Sequence, residues 1–130
     1  MLEKYPKTTG PFIILTLCAL SMLASSCAND ASSYYPSGTA SVVSHYEIQD
    51  STAKSCVMTV KVVNAGATRI STSIISVSAT TASATYRLTK SFPLDILPGK
   101  TAYFDLTVAY ASTTESLATE GAAVIDSYFE

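Results

Sequence analysis

Apolar and polar residues alternate with a period of two along much of the chain after residue 40, which is typical of β-strands that bury one face. The alternation is most regular in two segments, 56–63 and 102–110. We predict that each is a strand with one face in the core. The predicted inward positions are Cys56, Met58, Val60 and Val62 in the first segment and Ala102, Phe104, Leu106, Val108 and Tyr110 in the second.

Four further strands are predicted from weaker patterns. Three of them cover 70–79, the region of Tyr86 and Leu88, and 122–129. Within 70–79 the apolar residues move from even positions, Ile70 and Ile74, to odd positions, Ile75 and Val77. A β-bulge produces such a change. The fourth begins at Ser41 and is the first in the chain. Its two faces are expected to carry Val42, Tyr46 and Ile48 on one side and Val43, His45 and Glu47 on the other.

Turn-forming residues separate these strands. The segment Asn64-Ala65-Gly66 follows the second strand, and we expect Asn64 and Gly66 to adopt positive φ there. A Pro98-Gly99 pair turns the chain before the strand at 102–110. Short strands with turns at this spacing favour an all-β fold, an immunoglobulin-like two-sheet antiparallel sandwich of about six or seven strands.

Length and charge narrow the class of protein. The chain has 130 residues, 14% of them charged, and a formal net charge of -2, which fits one small domain and excludes a polybasic nucleic-acid binder. Arg69 and Arg87 are its only arginines, so few guanidinium groups are available to bind phosphate. We therefore expect no nucleic-acid partner.

The amino terminus has the pattern of an export signal. Lys4 and Lys7 precede an uncharged apolar run from Phe12 to Ala24. A membrane-spanning helix needs about 20 apolar residues, so this run is too short to span the bilayer stably, and no later segment is longer. We predict a signal peptide over 1–26 and no transmembrane helix in the mature protein.

The end of this signal, Leu23-Ala24-Ser25-Ser26-Cys27, resembles the lipobox of bacterial lipoproteins. The resemblance implies cleavage before Cys27 and diacylation of its thiol, with Ala28 after it indicating an outer membrane. The expected location is thus the bacterial cell envelope, with the membrane as partner through acylated Cys27. The alternative is cleavage by the ordinary signal peptidase at the small pair Ala24 and Ser26, which leaves Cys27 as a free thiol.

Residues 27–40 are rich in Ser, Asn, Pro and Gly and are predicted to form a tether to a domain over 41–130. Within that domain, the order of strand, Asn-x-Gly, and Leu-Pro-Gly turn before an aromatic strand resembles small bacterial immunoglobulin-like modules of the FxLYD and CARDB kind. The resemblance covers roughly 55–110 and implies an accessory or binding unit without an active site. The residues that carry it are Asn64, Gly66, Ile70, Ile74, Ile96, Leu97, Pro98, Gly99, Ala102, Phe104 and Leu106.

Residues with potential chemistry are few. His45 and Glu47 share a strand face and offer two metal ligands, but a site needs three or four. Cys56 has the inward parity of a hydrophobic strand and is expected to be an unreactive core thiol. We predict no catalytic residues, metal or cofactor. The alternative is a small envelope metal-binding protein or hydrolase that uses His45 and Glu47.

Tyrosines are the best candidates for partner binding, because exposed tyrosines are favoured at interfaces. Tyr103 is outward by parity, and Tyr46 and Tyr86 are further candidates. The sequence thus predicts a lipid-anchored, non-catalytic module that binds a protein or glycan partner. A structural subunit that assembles by edge-strand pairing is a further alternative.

Overall fold

The computed structural model describes residues 35–130 and shows a chain of β-strands joined by short loops. The first strand begins at Gly38, ahead of the predicted start at Ser41, and the last begins at Leu117, ahead of residue 122. The six strands are β1 (Gly38–Gln49), β2 (Lys54–Asn64), β3 (Ser73–Thr81), β4 (Thr85–Phe92), β5 (Thr101–Ala109) and β6 (Leu117–Phe129).

These strands form two antiparallel sheets of three strands each, with the orders β1-β2-β5 and β4-β3-β6. The all-β, two-sheet sandwich predicted from the alternation is confirmed. The strand order corresponds to immunoglobulin strands A, B and E in one sheet and C′, C and F in the other. In each sheet the central strand, β2 or β3, supplies most of the core.

The core lies where β2 and β3 face each other. All four predicted inward residues of β2 are fully buried, and so are Ile75 and Val77 of β3. Leu106 and Val108 of β5 complete the same cluster, which confirms the predicted faces of β2 and β5. Each fully buried aliphatic side chain contributes about 1.5–3 kcal/mol relative to an exposed one, so this cluster is the main source of stability.

The predicted grouping of Val42 with Tyr46 and Ile48 on one face of β1 is wrong, because a β-bulge lies at Val43. Val42 pairs with Val60, but the next pair is Ser44 with Thr59. The extra residue reverses the alternation, as a bulge does. As a result His45 and Glu47 lie on the inner side of the sheet and Tyr46 and Ile48 on the outer side.

The third strand also differs from the prediction, because β3 begins at Ser73. Ile70 lies before it and forms an isolated antiparallel bridge with Ile96. Within β3 the inward positions follow every second residue from Ser73 to Thr81, and Ser78, between two of them, is buried as well. The irregularity near Val77 belongs to the partner strand β6, where Ile125 is an extra residue.

The two turn motifs of the sequence meet in space at Asn64. Its amide nitrogen Nδ2 donates to the carbonyl oxygens of Thr68 and Ile96, both at 2.8 Å, and its oxygen Oδ1 accepts from the Gly66 N–H at 3.0 Å. Its backbone carbonyl accepts from the Gly99 N–H at 3.0 Å. Asn64 is 1% exposed, so it is a buried hydrogen-bonding hub that ties the Pro-Gly turn to the end of β2.

The expected positive φ at Asn64 and Gly66 is not found. Among residues 35–130, only Gly99 (φ 71) and Glu120 (φ 59) have this conformation. Gly99 is the third residue of a turn closed by the Lys100 N–H and the Leu97 carbonyl, which confirms the predicted Pro-Gly turn. Gly66 is small for a different reason, because the backbone of Ser37 passes close to it.

A candidate binding face on the sheet of β1, β2 and β5

The outer face of the β1-β2-β5 sheet carries two exposed tyrosines. Tyr46 on β1 is 56% exposed and Tyr103 on β5 is 60% exposed. Tyr46 pairs with Val57 and Tyr103 with Lys61, so both rings project from the same face on opposite sides of β2. We call this surface the tyrosine face; it comprises the outward side chains of β1, β2 and β5.

The end of β1 on the tyrosine face is apolar. Ile48 is about half exposed there, two residues from Tyr46. Val57, at the centre of the sheet, is only 6% exposed although it points outward. Cross-strand neighbours on one sheet face lie in contact distance, so the Tyr46 ring shields Val57. The bulge at Val43 creates this apolar strip, because without it Tyr46 and Ile48 would point into the core.

The β5 side of the tyrosine face is polar. The Asp105 carboxylate accepts a hydrogen bond from the Thr59 hydroxyl at 2.7 Å. Lys61 lies directly opposite Tyr103 in the sheet. The face therefore combines two aromatic rings, a residue type enriched at protein binding surfaces, with one cation, one carboxylate and several hydroxyls.

Tyr86 does not belong to this surface. It lies on β4 in the other sheet, is half-buried, and its ring packs against Tyr110 with a centroid distance of 5.5 Å. Its hydroxyl donates to Oε1 of Glu115 at 2.5 Å. Because the ring and the hydroxyl are both occupied within the domain, Tyr86 is a packing residue in this structure and not part of the tyrosine face.

A charged cluster closes the end of the sandwich next to Tyr86. The Glu115 carboxylate accepts hydrogen bonds from the hydroxyls of Thr81 at 2.6 Å, Ser83 at 2.8 Å and Tyr86. The bond from Thr81, followed by that from Tyr86, lowers the pKa of Glu115 to about 2. A carboxylate with three hydroxyl donors is well satisfied, so Glu115 holds the loop after β5 in place.

Lys54 is the cation of this cluster. It is 9% exposed, and its Nζ donates to the Glu115 carbonyl oxygen and to the Ser116 hydroxyl, at 2.5 and 2.9 Å. Nζ also lies 3.4 Å from Oε2 of Glu47. The buried ammonium group therefore has a partner for each of its three hydrogens.

Glu47 is engaged in the same cluster. Burial raises the pKa of Glu47. Its Oε1 accepts a hydrogen bond from the Leu117 N–H at 2.9 Å, and this bond, together with the nearby Tyr110 and Lys54, outweighs burial and lowers the pKa overall. His45 lies on the same side of β1, as predicted. Within residues 35–130, however, no three His, Cys, Asp or Glu side chains gather where a metal ion would need them. Binding a metal through Glu47 would require giving up its bonds to Leu117 and Lys54.

Cys56 and Tyr110 occupy the inner side of the cluster. Cys56 is fully buried, as expected for a core thiol, forms no disulfide within residues 35–130, and has a pKa raised by burial. Burial is also the main reason that the pKa of Tyr110 is raised. The Tyr110 hydroxyl makes no hydrogen bond of normal geometry within the described residues, although Glu47 and Cys56 lie near it. Neither group is accessible enough to act on a substrate.

The predicted lipidation site, Cys27, lies outside the described residues, together with the predicted signal peptide over 1–26. In the part of the chain that the structure does describe, no helix is long and apolar enough to cross a membrane.

The charged cluster was missed at the sequence level. Lys54 stands in a polar turn between two predicted strands, and Glu115 lies 61 residues further on in a Ser- and Thr-rich loop. Neither forms a motif with its neighbours. The only local signal is Lys54 itself, a lysine directly before a strongly apolar strand.

Comparison of this chain with protein-family models, curated proteins and solved structures gives no match to any of them.

Proposed function

We propose that this protein is a lipid-anchored, non-catalytic binding module of the bacterial cell envelope, and that the tyrosine face contacts a protein or glycan partner. The observation that carries the proposal is the exposure of Tyr46 and Tyr103 on the same face of one sheet. Tyrosines supply a large contact area and a hydrogen-bonding hydroxyl at low entropic cost, and they are enriched at binding hot spots.

The chemistry of the domain supports a binding role over a catalytic one. Glu47 and Glu115, two carboxylates with a lowered pKa, are held by bonds within the fold. Its one buried thiol, Cys56, has no access to solvent. A catalytic site needs a nucleophile or ligands that converge on open space, whereas Glu47 and Glu115 are occupied by hydrogen bonds within the fold and Cys56 is buried.

The anchor part of the proposal rests on the lipobox-like segment that ends at Cys27, and the outer membrane is the proposed destination. Two acyl chains are enough for stable anchoring. Metabolic labelling with a fatty-acid analogue in producing cells tests it. Wild-type protein should be labelled and recovered with membranes, and Cys27→Ser should lose both. Equal labelling of the two proteins would exclude lipidation at this cysteine.

The binding part is tested on full-length protein extracted from native membranes with mild detergent. Native electrophoresis should show it in a complex larger than the free protein. Tyr103→Ser, alone or with Tyr46→Ser, should dissociate that complex. The matched control is Tyr128→Ser, because Tyr128 is 58% exposed but lies on the outer face of the other sheet. If Tyr128→Ser disrupts the complex and Tyr103→Ser does not, the tyrosine face is not the binding surface.

A further inference from the structure

The two sheets have four edge strands, and an edge strand presents unpaired backbone N–H and C=O groups to which another chain can pair. In the β1-β2-β5 sheet the edges are β1 and β5, and in the β4-β3-β6 sheet they are β4 and β6. Natural sheets obstruct their edges with bulges, inward-pointing charges or neighbouring segments. The four edges of this domain differ in whether they carry such an obstruction.

Two of the edges obstruct each other. β1 runs beside β6, and the Glu47 carboxylate joins them through the N–H of Leu117. β1 is also interrupted by the bulge at Val43, and β6 by the extra residue Ile125 and by a longer irregularity over 118–121. A further strand could not pair in continuous register with either of them.

The edge strand β4 is obstructed by a charge. Lys90 pairs with Ile75, whose side chain is fully buried, so Lys90 is on the inner side of its sheet. Its Nζ lies 5.3 Å from the centre of the Phe92 ring, at the rim of the sandwich. An inward-pointing lysine on an edge strand is a common device against strand addition, because pairing would bury its charge.

The edge strand β5 carries neither a bulge nor an inward-pointing charge, although β4 of the other sheet runs beside it and Phe92 stacks on Phe104. It pairs with β2 in unbroken register from Thr101 to Ala109 and contains no proline. The inward side chains of β5 are all apolar, and Tyr103 and Asp105 are at the centre of its outward side. Among the four edges of the described domain, β5 alone is regular and free of an inward charge.

The backbone groups that β5 leaves free can be assigned from its hydrogen bonds. The Tyr110 N–H donates to the Lys54 carbonyl at 2.9 Å, and the Asn64 N–H donates to the Lys100 carbonyl at 3.0 Å. In an antiparallel pair, alternate residues direct both backbone groups to the partner. Even-numbered residues of β5 therefore bond to β2. Within residues 35–130, the odd-numbered ones face an edge that no other strand occupies: Thr101, Tyr103, Asp105, Thr107 and Ala109.

We propose that β5 accepts an extended segment of another polypeptide as a fourth strand of the β1-β2-β5 sheet. The inference rests on the proposed binding role and narrows the partner from a protein or glycan to a protein with an extended segment. Main-chain hydrogen bonds supply affinity in such strand addition, and side chains supply specificity. A fourth strand, D, also extends the corresponding sheet of constant-type immunoglobulin domains.

The occupant is a different protein and not a second copy of this chain. Asp105 is the central residue of β5, so an antiparallel pair of two β5 strands in full overlap would place Asp105 opposite itself. Like charges directly opposite each other destabilise a strand pair. A segment with Lys or Arg opposite Asp105 would instead place opposite charges across the strand pair, which stabilises it. Side chains next to it on the same face would contact Tyr103.

Hydrogen exchange of the backbone amides tests the proposal directly. The probe is a synthetic peptide as long as β5, alternating Val and Thr, with Lys at its centre. In the protein without peptide, the amides of Tyr103, Asp105 and Thr107 should exchange quickly and those of Phe104 and Leu106 slowly, since only the latter bond to β2. Excess peptide should slow exchange at the three odd-numbered residues.

Two control peptides and one pair of variants sharpen the test. A Glu-centred peptide should bind several-fold more weakly, and a peptide N-methylated at alternate residues should not bind. Thr107→Pro removes a free N–H without touching the β2 ladder and should abolish protection. Thr107→Ala keeps the N–H and should retain protection at Tyr103 and Asp105, with at most a modest change in affinity. If Thr107→Pro fails to fold, the N-methylated peptide still decides the question.

Unchanged exchange at β5 in excess Lys-centred peptide, or equal binding of the N-methylated peptide, would overturn the proposal. These results are distinguishable from failure of the proposed function. If the native complex is lost in Tyr103→Ser but kept in a folded Thr107→Pro, the tyrosine face binds the partner and strand addition is wrong. If the peptide protects β5 but the complex survives Tyr103→Ser, the edge accepts strands and the role of the tyrosine face is wrong.

Discussion

Asn64 gives the sharpest prediction about the stability of the fold. Its buried side chain makes three hydrogen bonds, two as donor to carbonyl oxygens and one as acceptor from Gly66. Each such bond contributes about 1 kcal/mol net, so Asn64→Ala should lower the free energy of unfolding by roughly 2–4 kcal/mol. Two of the three partners keep a second hydrogen bond, since Ile96 also accepts from Ile70 and Gly66 also donates to Ser37, which argues against a larger loss.

Asn64→Asp separates hydrogen bonding from side-chain volume, because the two side chains have nearly the same shape. An ionised carboxylate at this position would set an oxygen against the carbonyls of Thr68 and Ile96, which in the wild type accept from Nδ2. Burial and these carbonyls favour the neutral acid, so the pKa of the introduced carboxyl in the folded state lies above the unfolded value of about 3.9. A raised carboxyl pKa costs stability as pH rises, so the penalty relative to wild type should be largest at about pH 7 and smaller near pH 4.

Urea denaturation of the wild type and of each variant at both pH values measures these differences. Arg69→Ala is the control in the same loop, because the Arg69–Asp95 ion pair is exposed and should contribute less than about 1 kcal/mol. A free energy of unfolding for Asn64→Ala within about 0.5 kcal/mol of wild type, or an Asn64→Asp penalty that is the same at the two pH values, would refute the hydrogen-bonding role of Asn64.

Three further predictions concern the β5 core, the start of β6 and the charged cluster. Phe104 is half-buried, and its ring stacks on that of Phe92 with a centroid distance of 4.0 Å. Phe104→Ala should therefore lower the free energy of unfolding by about 2–3 kcal/mol, below the range for a fully buried ring, and Asp105→Ala by less than about 1 kcal/mol. Equal unfolding midpoints for the two variants would refute the register of β5. A Cβ at Gly121 would lie 2.4 Å from the Thr80 carbonyl oxygen, so Gly121→Ala should lower the thermal midpoint, whereas Glu120→Gly relieves a positive φ and should not lower it; the opposite order in a melting experiment would contradict this account. The pKa of Glu115 is lowered to about 2, so the stability that its carboxylate contributes is present above the ordinary pKa and is lost as pH falls from about 5 towards 2. In Glu115→Gln the urea midpoint should therefore depend less on pH in this range. The same pH dependence in Glu115→Gln as in wild type would show that the hydrogen bonds from the hydroxyls contribute nothing.

The sequence predicted the parts of the fold that depend on regular alternation. β2 and β5 were assigned correctly because each is a strand with one buried face, for which residue parity is enough. The sequence also contained both turn motifs that meet at Asn64, although the role of Asn64 is hydrogen bonding and not positive φ.

The errors have one physical origin, which is that tertiary contacts decide between local alternatives. The bulge at Val43 brings Glu47 to the inner side, where Lys54 and the Leu117 N–H bind it, and no neighbouring residue in the sequence signals this exchange of faces. The same bulge places Tyr46 on the outer face of the sheet, although the predicted parity put Tyr46 and Val42 on one face. Tyr86 has the same residue type and alternation as an exposed tyrosine, and only Glu115, from a distant loop, shows that it is occupied.

The central claim is that the tyrosine face binds a partner, and site-specific photocrosslinking in producing cells tests it most directly. A photoreactive residue replaces Tyr46, Tyr103 or, as the control on the other sheet, Tyr128, in the full chain. The account predicts a discrete crosslinked product from positions 46 and 103 and none from 128. Absence of a product at 46 and 103, or the same product from all three positions, would contradict it.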